Sequence, residues 1–227
     1  MKKSVDDLLL DLNEGVYDPN IFKAFFLAGG PGSGKSYITG RTIPRSLGLK
    51  VVNSDDALER LLKKANLSLR MPDSQAAQRD PIRDKAKRIT AQREKNYIEG
   101  RLGLIIDGTG REFDKMSKQA TDLQQLGYDT YMIFVNTSLD VALQRNAKRQ
   151  RNVPESIVTR SWKAVQQNIG KFSLFFKNGF VIVDNNDAGE DIFNSVFKRV
   201  KALLRQPVRN GRAKEWINNQ LELKKRK

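Results

Sequence analysis

The chain of 227 residues contains neither cysteine nor histidine. The absence of cysteine excludes disulfides and thiolate chemistry, and the absence of histidine excludes imidazole catalysis and the usual zinc sites. No apolar run approaches the roughly 18 to 20 residues of a membrane-spanning helix, and the N-terminus lacks the pattern of a signal peptide. We therefore expect a cytoplasmic protein without a membrane partner. Any acid–base catalysis falls to carboxylates, lysine or tyrosine.

Acidic residues are scarce relative to basic ones, with 26 Asp and Glu against 41 Lys and Arg, and the net charge is +15. Such an excess favours an anionic partner such as nucleic acid. Simple solubility is the alternative explanation. The excess is greatest near the C-terminus, where residues 198–227 hold eleven Lys or Arg against two Glu.

The sequence GGPGSGKS at residues 29–36 matches the pattern G-x-x-x-x-G-K-[ST] and follows a run of apolar residues. Its glycines allow consecutive backbone N–H groups to form a cradle for an anion, and a helix beginning behind the loop adds its positive dipole end. In such a loop Lys35 reaches the β- and γ-phosphates and the Ser36 hydroxyl ligates Mg²⁺. The pattern predicts an ATP·Mg²⁺ site. The residues expected at the nucleotide are Gly29, Gly30, Pro31, Gly32, Ser33, Gly34, Lys35, Ser36 and Tyr37.

Short apolar runs bounded by turn signals predict five buried parallel strands. These runs cover residues 21–28, 49–53, 102–106, 129–135 and 179–183. Helical periodicity between them predicts a doubly wound α/β domain with helices on both faces of the sheet. Ligands of such sheets bind beyond the carboxyl ends of the strands, so polar residues that follow a strand are candidate site residues.

Carboxylates follow two of these predicted strands. Asp55 and Asp56 come after the second strand, and Asp107 comes at the end of the third. A kinase needs a carboxylate to orient the acceptor hydroxyl and take its proton, and Asp55 is the candidate. Asp107 is the candidate for holding Mg²⁺. A helix or turn cap is the alternative role for each of them, because Asp is a preferred cap residue.

A basic segment follows the fourth strand and its helix. Four of the seven residues from Arg145 to Arg151 are basic, and Pro154 begins another helix. In a phosphoryl-transfer enzyme a basic helical lid closes over the triphosphate and places guanidinium groups on the developing charge. We therefore predict a lid over about residues 144–156, with Arg145 and Arg149 as catalytic arginines on one helix face. A solvated basic helix is the alternative.

The ordered motifs GGPGSGKS, VVNSDD, LIIDGTG and ALQRNAKRQRNVP resemble those of P-loop kinases, in particular the kinase domain of phage polynucleotide kinases and the zeta-toxin kinases. The resemblance extends over about residues 22 to 185. It implies an ATP-dependent phosphotransferase with strand order 2-3-1-4-5. Lys35 and Ser36 resemble the phosphate and Mg²⁺ residues of these kinases, Asp55 the general base, and Arg149 the lid arginine. A phage-encoded protein of this kind resides in the host cytoplasm.

The acceptor is left open by these motifs. Leu58 stands where the polynucleotide kinase pattern has an arginine beside the acceptor hydroxyl. Charge and resemblance favour nucleic acid, through an end hydroxyl or a hydroxymethylated base in DNA such as hydroxymethyluracil. A small metabolite or nucleotide sugar is the second hypothesis, and a DNA-binding ATPase is the third. The oligomeric state and the choice between ATP and GTP also stay open.

Composition divides the chain into three segments. We expect an N-terminal helical extension over residues 1–20, a kinase domain over residues 21–205 and a basic tail over residues 206–227. Within the tail, apolar residues predict a final helix that docks or caps, namely Trp216, Ile217, Leu221 and Leu223. A tail that follows a phosphate backbone and a disordered solubilising end are its two interpretations.

Overall fold

The computed structural model describes residues 15–37, 47–69, 72–149, 153–187 and 190–225, and five parallel strands run through them. The strands hydrogen-bond in the order β2-β3-β1-β4-β5, which confirms the predicted topology. Their bounds lie within two residues of the predicted ones. The strands are β1 (Lys23–Ala28), β2 (Lys50–Val52), β3 (Leu104–Asp107), β4 (Asp129–Asn136) and β5 (Phe180–Asp184).

Seven α-helices are complete within the described residues, and another begins at Lys35 just after the glycine-rich loop. Residues 38–46 and residues 1–14, where the N-terminal helix was predicted, fall outside the described residues. None of the described helices combines the length and the apolar composition needed to span a bilayer. The seven are α1 (Ser54–Lys64), α2 (Ala76–Glu99), α3 (Phe113–Gln125), α4 (Leu139–Ala147), α5 (Glu155–Phe176), α6 (Glu190–Leu204) and α7 (Gly211–Lys225).

The apolar strands are unbroken because both faces of the sheet are covered. In β1, Phe26 packs into a core that includes residues of α3, α5 and α7. The adjacent residues Phe25 and Leu27 point to the opposite face and pack against α6. A third, smaller cluster joins α1 and α2 through Leu58, Leu62 and Ala86. The side chains of β1 thus alternate between helices on the two faces of the sheet. The carboxyl ends of the strands are left open.

Local sequence signals fix several helix ends. The Ser138 hydroxyl caps α4 by accepting a hydrogen bond from the backbone N–H of Val141 at 3.3 Å. Gly127 follows α3 with a φ of +106°, a left-handed conformation that favours glycine. Helix α2 begins at Ala76 and not at Pro81, although proline is favoured at the first position of a helix. Pro81 instead lies in the second turn, where it leaves one backbone hydrogen bond unmade.

The C-terminal helix α7 packs beside the amino ends of the strands. The ring of Trp216 meets the ring of Phe22 edge-on, with 5.6 Å between centroids. Ala213 is fully buried against the turn that contains Gly127. The predicted final helix is therefore present over residues 211–225, and it docks on the domain.

Candidate active site

The glycine-rich loop after β1 packs closely on two neighbouring elements. Gly32 has a φ of +80°, and a Cβ at this position would lie 2.2 Å from the carbonyl oxygen of Ala142 in α4. Gly34 has a φ of +88°, and its Cβ would lie 2.3 Å from Asn185 Nδ2. Both positions require glycine for conformation and for space. The loop is thereby held against α4 and against the residue that follows β5.

Lys35 stands at the end of this loop, where the next helix begins. Its Nζ donates a hydrogen bond to the carbonyl oxygen of Gly29. Burial lowers the pKa of Lys35, while attraction from Asp107 and, more weakly, from Asp55 opposes that effect. Repulsion from Arg149 lowers the pKa further. These charged groups from four separate segments of the chain thus act on one another electrostatically.

Asp107 lies at the carboxyl end of β3, beside the end of β2. Asn53 Nδ2 donates a hydrogen bond to Asp107 Oδ2 at 2.9 Å. The other oxygen, Oδ1, is buried and has no hydrogen-bond partner within the described part of the chain. Burial raises the pKa of Asp107, and Lys35 opposes the rise. An unpartnered carboxylate oxygen near a phosphate loop suits Mg²⁺ or its water shell, because Mg²⁺ prefers oxygen ligands.

The N-terminal turn of α1 presents Asp55 to the same region. The cap of this helix is Asn53, whose Oδ1 accepts a hydrogen bond from the backbone N–H of Asp55 at 2.7 Å. Asp55 and Asp56 therefore lie inside the first turn, and the alternative that either of them caps α1 is wrong. Asp107 caps no helix either, since Glu112 occupies that position before α3.

A cleft of about 620 Å³ joins these motifs at the carboxyl edge of the sheet. Most of the residues predicted to contact the nucleotide line this cleft, whereas Gly29, Gly32 and Tyr37 do not. The predicted residues in its lining are Gly30, Pro31, Ser33, Gly34, Lys35, Ser36, Asp55, Asp107 and Arg149. The cleft therefore unites the phosphate loop, both candidate carboxylates and one lid arginine.

The two predicted catalytic arginines separate in the structure. Helix α4 ends at Ala147, so Arg149 lies beyond it, and the prediction that both arginines share one helix face is wrong. Arg149 lines the cleft. Arg145 instead donates hydrogen bonds to the carbonyl oxygens of Asn185 and Asn186, at 2.6 and 3.0 Å. Its guanidinium connects α4 to the segment after β5.

Two buried asparagines support the site and were not predicted. Asn146 donates to the carbonyl oxygen of Val153 at 2.6 Å and accepts from its N–H at 3.0 Å, which joins the two ends of the lid. Asn185 Nδ2 donates to the carbonyl oxygen of Ser33 at 2.7 Å and so anchors the phosphate loop to β5. Asn185 directly follows a strand, so the rule that selected Asp107 also applies to it. Asn146 carries no comparable sequence signal.

A second pocket, of about 380 Å³, opens beside the cleft between α2, α3 and the end of β3. Asp107 and Thr109 line both spaces. Within the second pocket, Gln119 Nε2 donates a hydrogen bond to Glu94 Oε1 at 2.6 Å. Burial raises the pKa of Glu94, and the bond from Gln119 opposes the rise. Helix α2 thus contributes polar groups to a pocket as well as a solvated basic face.

Comparisons with known proteins agree with this geometry. The family model described as Zeta toxin matches residues 13–196. A chain from the PezAT chromosomal toxin-antitoxin system of Streptococcus pneumoniae superposes with a TM-score of 0.54 at 16% identity, covering 96% of this chain and 94% of that one. A proposed kinase from Chloroflexus aurantiacus gives a TM-score of 0.52 at 16% identity, covering 82% of this chain and 97% of its own.

A chain of the Pnkp1/Rnl/Hen1 RNA repair complex superposes with a TM-score of 0.50 at 19% identity, covering 67% of this chain and 47% of that chain. At such identities these likenesses show the fold. A sequence comparison with curated proteins finds no match. The family model spans most of the chain, including the phosphate loop and the lid. The chain therefore belongs to the Zeta toxin family and is a P-loop kinase, an ATP-dependent phosphotransferase.

Proposed function

We propose that the chain transfers the γ-phosphoryl group of ATP to a hydroxyl group on nucleic acid, with Asp55 as the general base. The observation that carries this proposal is the meeting of Lys35, Asp55, Asp107 and Arg149 around one cleft. Phosphoryl transfer needs a phosphate cradle, a carboxylate at the nucleophile and positive charge at the transferring group. Each requirement has a residue in this lining.

The nucleotide side of the cleft is built for a triphosphate. Backbone N–H groups of the loop and the ammonium group of Lys35 bind the phosphate oxygens. The Lys35 ammonium group donates to the Gly29 carbonyl oxygen, which places it at the start of the phosphate loop. Ser36 and Asp107 are the residues expected to hold Mg²⁺, which neutralises phosphate charge when bound.

The transfer step follows from the position of Asp55. Its carboxylate orients the acceptor hydroxyl and takes the proton while the hydroxyl oxygen forms a bond to the γ-phosphorus. The bond from the γ-phosphorus to the bridging oxygen breaks at the same time, and ADP leaves with the electron pair. The guanidinium of Arg149 stabilises the charge on the transferring group. The products are ADP, a phosphorylated acceptor and a proton on Asp55.

Nucleic acid is supported as the acceptor by charge and by pocket size. The net charge of +15 suits a polyanionic substrate. The pocket of about 380 Å³ beside the cleft has room for a single base, and its lining offers the hydrogen-bonding groups of Glu94, Gln119 and Thr90. Enzymes that modify a base in a duplex extrude that base into such a pocket. A hydroxymethylated base would bring its hydroxyl toward Asp107 and Asp55.

A small metabolite, such as a nucleotide sugar, is the second candidate acceptor. The same pocket favours it, because a volume of about 380 Å³ also holds a free sugar or a similar polar ring. Lys87 and Lys115 in its lining suit an acceptor that carries its own phosphate. A metabolite kinase would use the same Asp55 and the same nucleotide site.

The test measures transfer of label from γ-labelled ATP, in the presence of Mg²⁺, to a panel of hydroxyl acceptors. The panel contains 5′-hydroxyl DNA and RNA, DNA with hydroxymethyluracil, nucleosides and nucleotide sugars. A Lys35→Met variant sets the background, because it removes the cation that holds the phosphates. We expect label on a polymer. Label only on a small acceptor contradicts the nucleic-acid proposal, and release of free phosphate from ATP with every acceptor favours an ATPase.

A further inference from the structure

Residues 198–214 contain seven basic residues and no acidic residue. All seven side chains are exposed. This segment, here called the basic band, includes the last part of α6, the connection to α7 and the first turn of α7. Its basic residues are Lys198, Arg199, Lys201, Arg205, Arg209, Arg212 and Lys214.

The backbone of the basic band is fixed on the core of the domain. Val200 and Leu203 of α6 are buried on one face of the sheet, in a cluster that includes residues of β4. Ala213 of α7 is buried on the other face. Val208, in the connection between the two helices, packs on the core as well. The charges are therefore presented from a defined surface, in contrast to those of a flexible tail.

The charges of the basic band are left unpaired by the carboxylates that the structure describes. None of the ion pairs among the described residues involves a member of the band. Arg199 and Arg212 each donate to a backbone carbonyl oxygen, at 3.1 and 2.7 Å. The remaining arginines of the band, Arg205 and Arg209, make no side-chain hydrogen bond within the described ranges. Their full positive charge faces solvent.

The basic band lies at the amino ends of the strands, opposite the catalytic cleft at their carboxyl ends. Arg209 lines a recess together with Tyr128, Asp129 and Gly179, residues at or just before the starts of β4 and β5. The phosphate loop follows the other end of β1, a strand of six residues. At about 3.3 Å per residue, roughly 20 Å of sheet separates the band from the cleft.

We propose that the basic band is a docking surface for the phosphate backbone of nucleic acid, separate from the catalytic cleft. An uninterrupted group of exposed Lys and Arg on a rigid surface matches a regularly spaced polyanion and binds it by counterion release. An anionic membrane is the less suitable partner, because none of the exposed large apolar side chains of the described chain lies in residues 198–214. This docking function goes beyond phosphoryl transfer.

The separation of the two sites sets a length requirement for a docked substrate. A duplex advances about 3.4 Å per base pair, so about 6 base pairs are needed to cover roughly 20 Å, and a path over the protein surface needs more. Long nucleic acid is thus able to occupy the band while its acceptor group is in the cleft. A very short oligonucleotide is able to occupy only one of them.

The test compares two variants that lose the same charge. In the band variant Lys198, Arg205, Arg209 and Lys214 are all replaced by Gln. In the control variant four exposed lysines elsewhere are replaced by Gln, namely Lys63, Lys64, Lys118 and Lys163. Binding of a labelled duplex of about 30 base pairs is measured without ATP from roughly 50 to 200 mM salt. Vesicles of phosphatidylserine and phosphatidylcholine serve as the membrane probe, and thermal melting checks that both variants fold.

The band variant should bind the duplex at least about tenfold more weakly, and its slope of log K against log salt should be shallower by about 3 to 4. The control variant should keep the slope of the unchanged protein. Equal losses in both variants overturn the proposal, as does binding of vesicles without binding of DNA. Transfer assays on the same proteins keep the two claims apart. Band-dependent DNA binding without transfer to DNA contradicts only the nucleic-acid acceptor, whereas transfer to DNA with unchanged binding in the band variant contradicts only the docking surface.

Discussion

The carboxylates at the cleft differ in their surroundings, and this difference separates their roles. Asp107 is half-buried and bonded to Asn53, so its remaining, buried oxygen suits a cation that stays in place. Asp55 and Asp56 are exposed on the first turn of α1. Of these two, Asp55 is the one whose charge acts on Lys35. Asp55 is therefore the better placed base for a hydroxyl that approaches the γ-phosphate.

Arg149 and Arg145 are expected to affect different quantities. Arg149→Ala should lower kcat by about 100- to 1000-fold with little change in stability, because its exposed guanidinium acts on the transferring group. Arg145→Ala should lower the free energy of unfolding by about 1.5 to 3 kcal/mol, because two charge-assisted hydrogen bonds to backbone carbonyls are lost. Steady-state kinetics measure kcat, and urea denaturation measures the free energy of unfolding, for both variants. A larger loss of kcat in a stable Arg145→Ala protein would assign the catalytic arginine to that position.

Glu94 gives the protein a predictable pH dependence. Burial raises its pKa above the ordinary value of 4.5, so the folded state binds the proton more tightly than the unfolded state does. The stability of the unchanged protein therefore falls as pH rises from about 4.5 through the folded pKa. The Glu94→Gln variant does not lose stability in this way, and its side-chain oxygen still accepts the hydrogen bond from Gln119. Its melting temperature should be roughly 2 °C higher at pH 7 and equal at pH 4. A variant that is less stable at pH 7 contradicts this account.

At the level of single residues, the sequence predicted side chains whose position follows from a strand end or a motif. Lys35 and Ser36 were identified by the loop pattern, and Asp55 and Asp107 by their places after strands. Asn146 was missed because its function depends on a contact with Val153 across the lid, and no periodic pattern marks such a contact. The burial of Glu94 likewise depends on how α3 packs beside α2.

The two ends of the predicted lid are joined by one buried side chain. Asn146 bonds both backbone groups of Val153, so the chain leaves α4 and returns to α5 at a fixed point. This join sets where Arg149 enters the cleft.

Asn146→Ala should weaken the lid without changing any group that contacts the nucleotide. Loss of both bonds to Val153 is expected to cost about 1 to 3 kcal/mol of stability, because the backbone groups of that residue lose their partner. We expect kcat to fall more than the affinity for ATP, since the position of Arg149 is affected while the phosphate loop is intact. Thermal melting and single-turnover transfer measure the two effects. Unchanged single-turnover rates would show that the join does not position the arginine.

At the level of elements, strands were easier to predict than helix boundaries. Burial on both faces makes the strands of this sheet apolar throughout, which gives each one a clear sequence signal. Helix α2 begins before Pro81 because the turn at Asp73–Gln75 leads directly into it, a connection that has no strong sequence signature. Helix α4 ends at Ala147 inside a run that remains favourable for a helix, and the return to Val153 explains the early end.

Across the whole molecule, the two ends of the strands carry the two proposed sites. The carboxyl edge carries the cleft, and the amino edge is covered by α7 and bears the basic band. The sequence predicted a final helix from Trp216 and its apolar neighbours. The location of that helix at the edge opposite the phosphate loop depends on tertiary packing, which the sequence alone did not reveal.

Trp216→Ala tests whether α7, which lies far from the cleft, stabilises the fold. The half-buried indole contacts Phe22 edge-on and lies 5.8 Å below the guanidinium of Arg101. Its removal should lower the free energy of unfolding by about 2 to 3 kcal/mol, because apolar area and a ring contact are lost. Transfer activity measured well below the melting temperature should stay within about twofold, as the cleft lies at the other edge. A large loss of kcat in the folded variant would show coupling between the two edges.

The central claim is that Asp55 acts as the base of a hydroxyl kinase, and Asp55→Asn tests it most directly. Transfer of label from γ-labelled ATP and binding of ATP are measured on the same preparation, with Asp56→Asn as the matched loss of a neighbouring charge. We expect transfer to fall by about 10²- to 10⁴-fold in Asp55→Asn with ATP affinity nearly unchanged, and to stay within about tenfold in Asp56→Asn. Full transfer activity in Asp55→Asn would contradict the account.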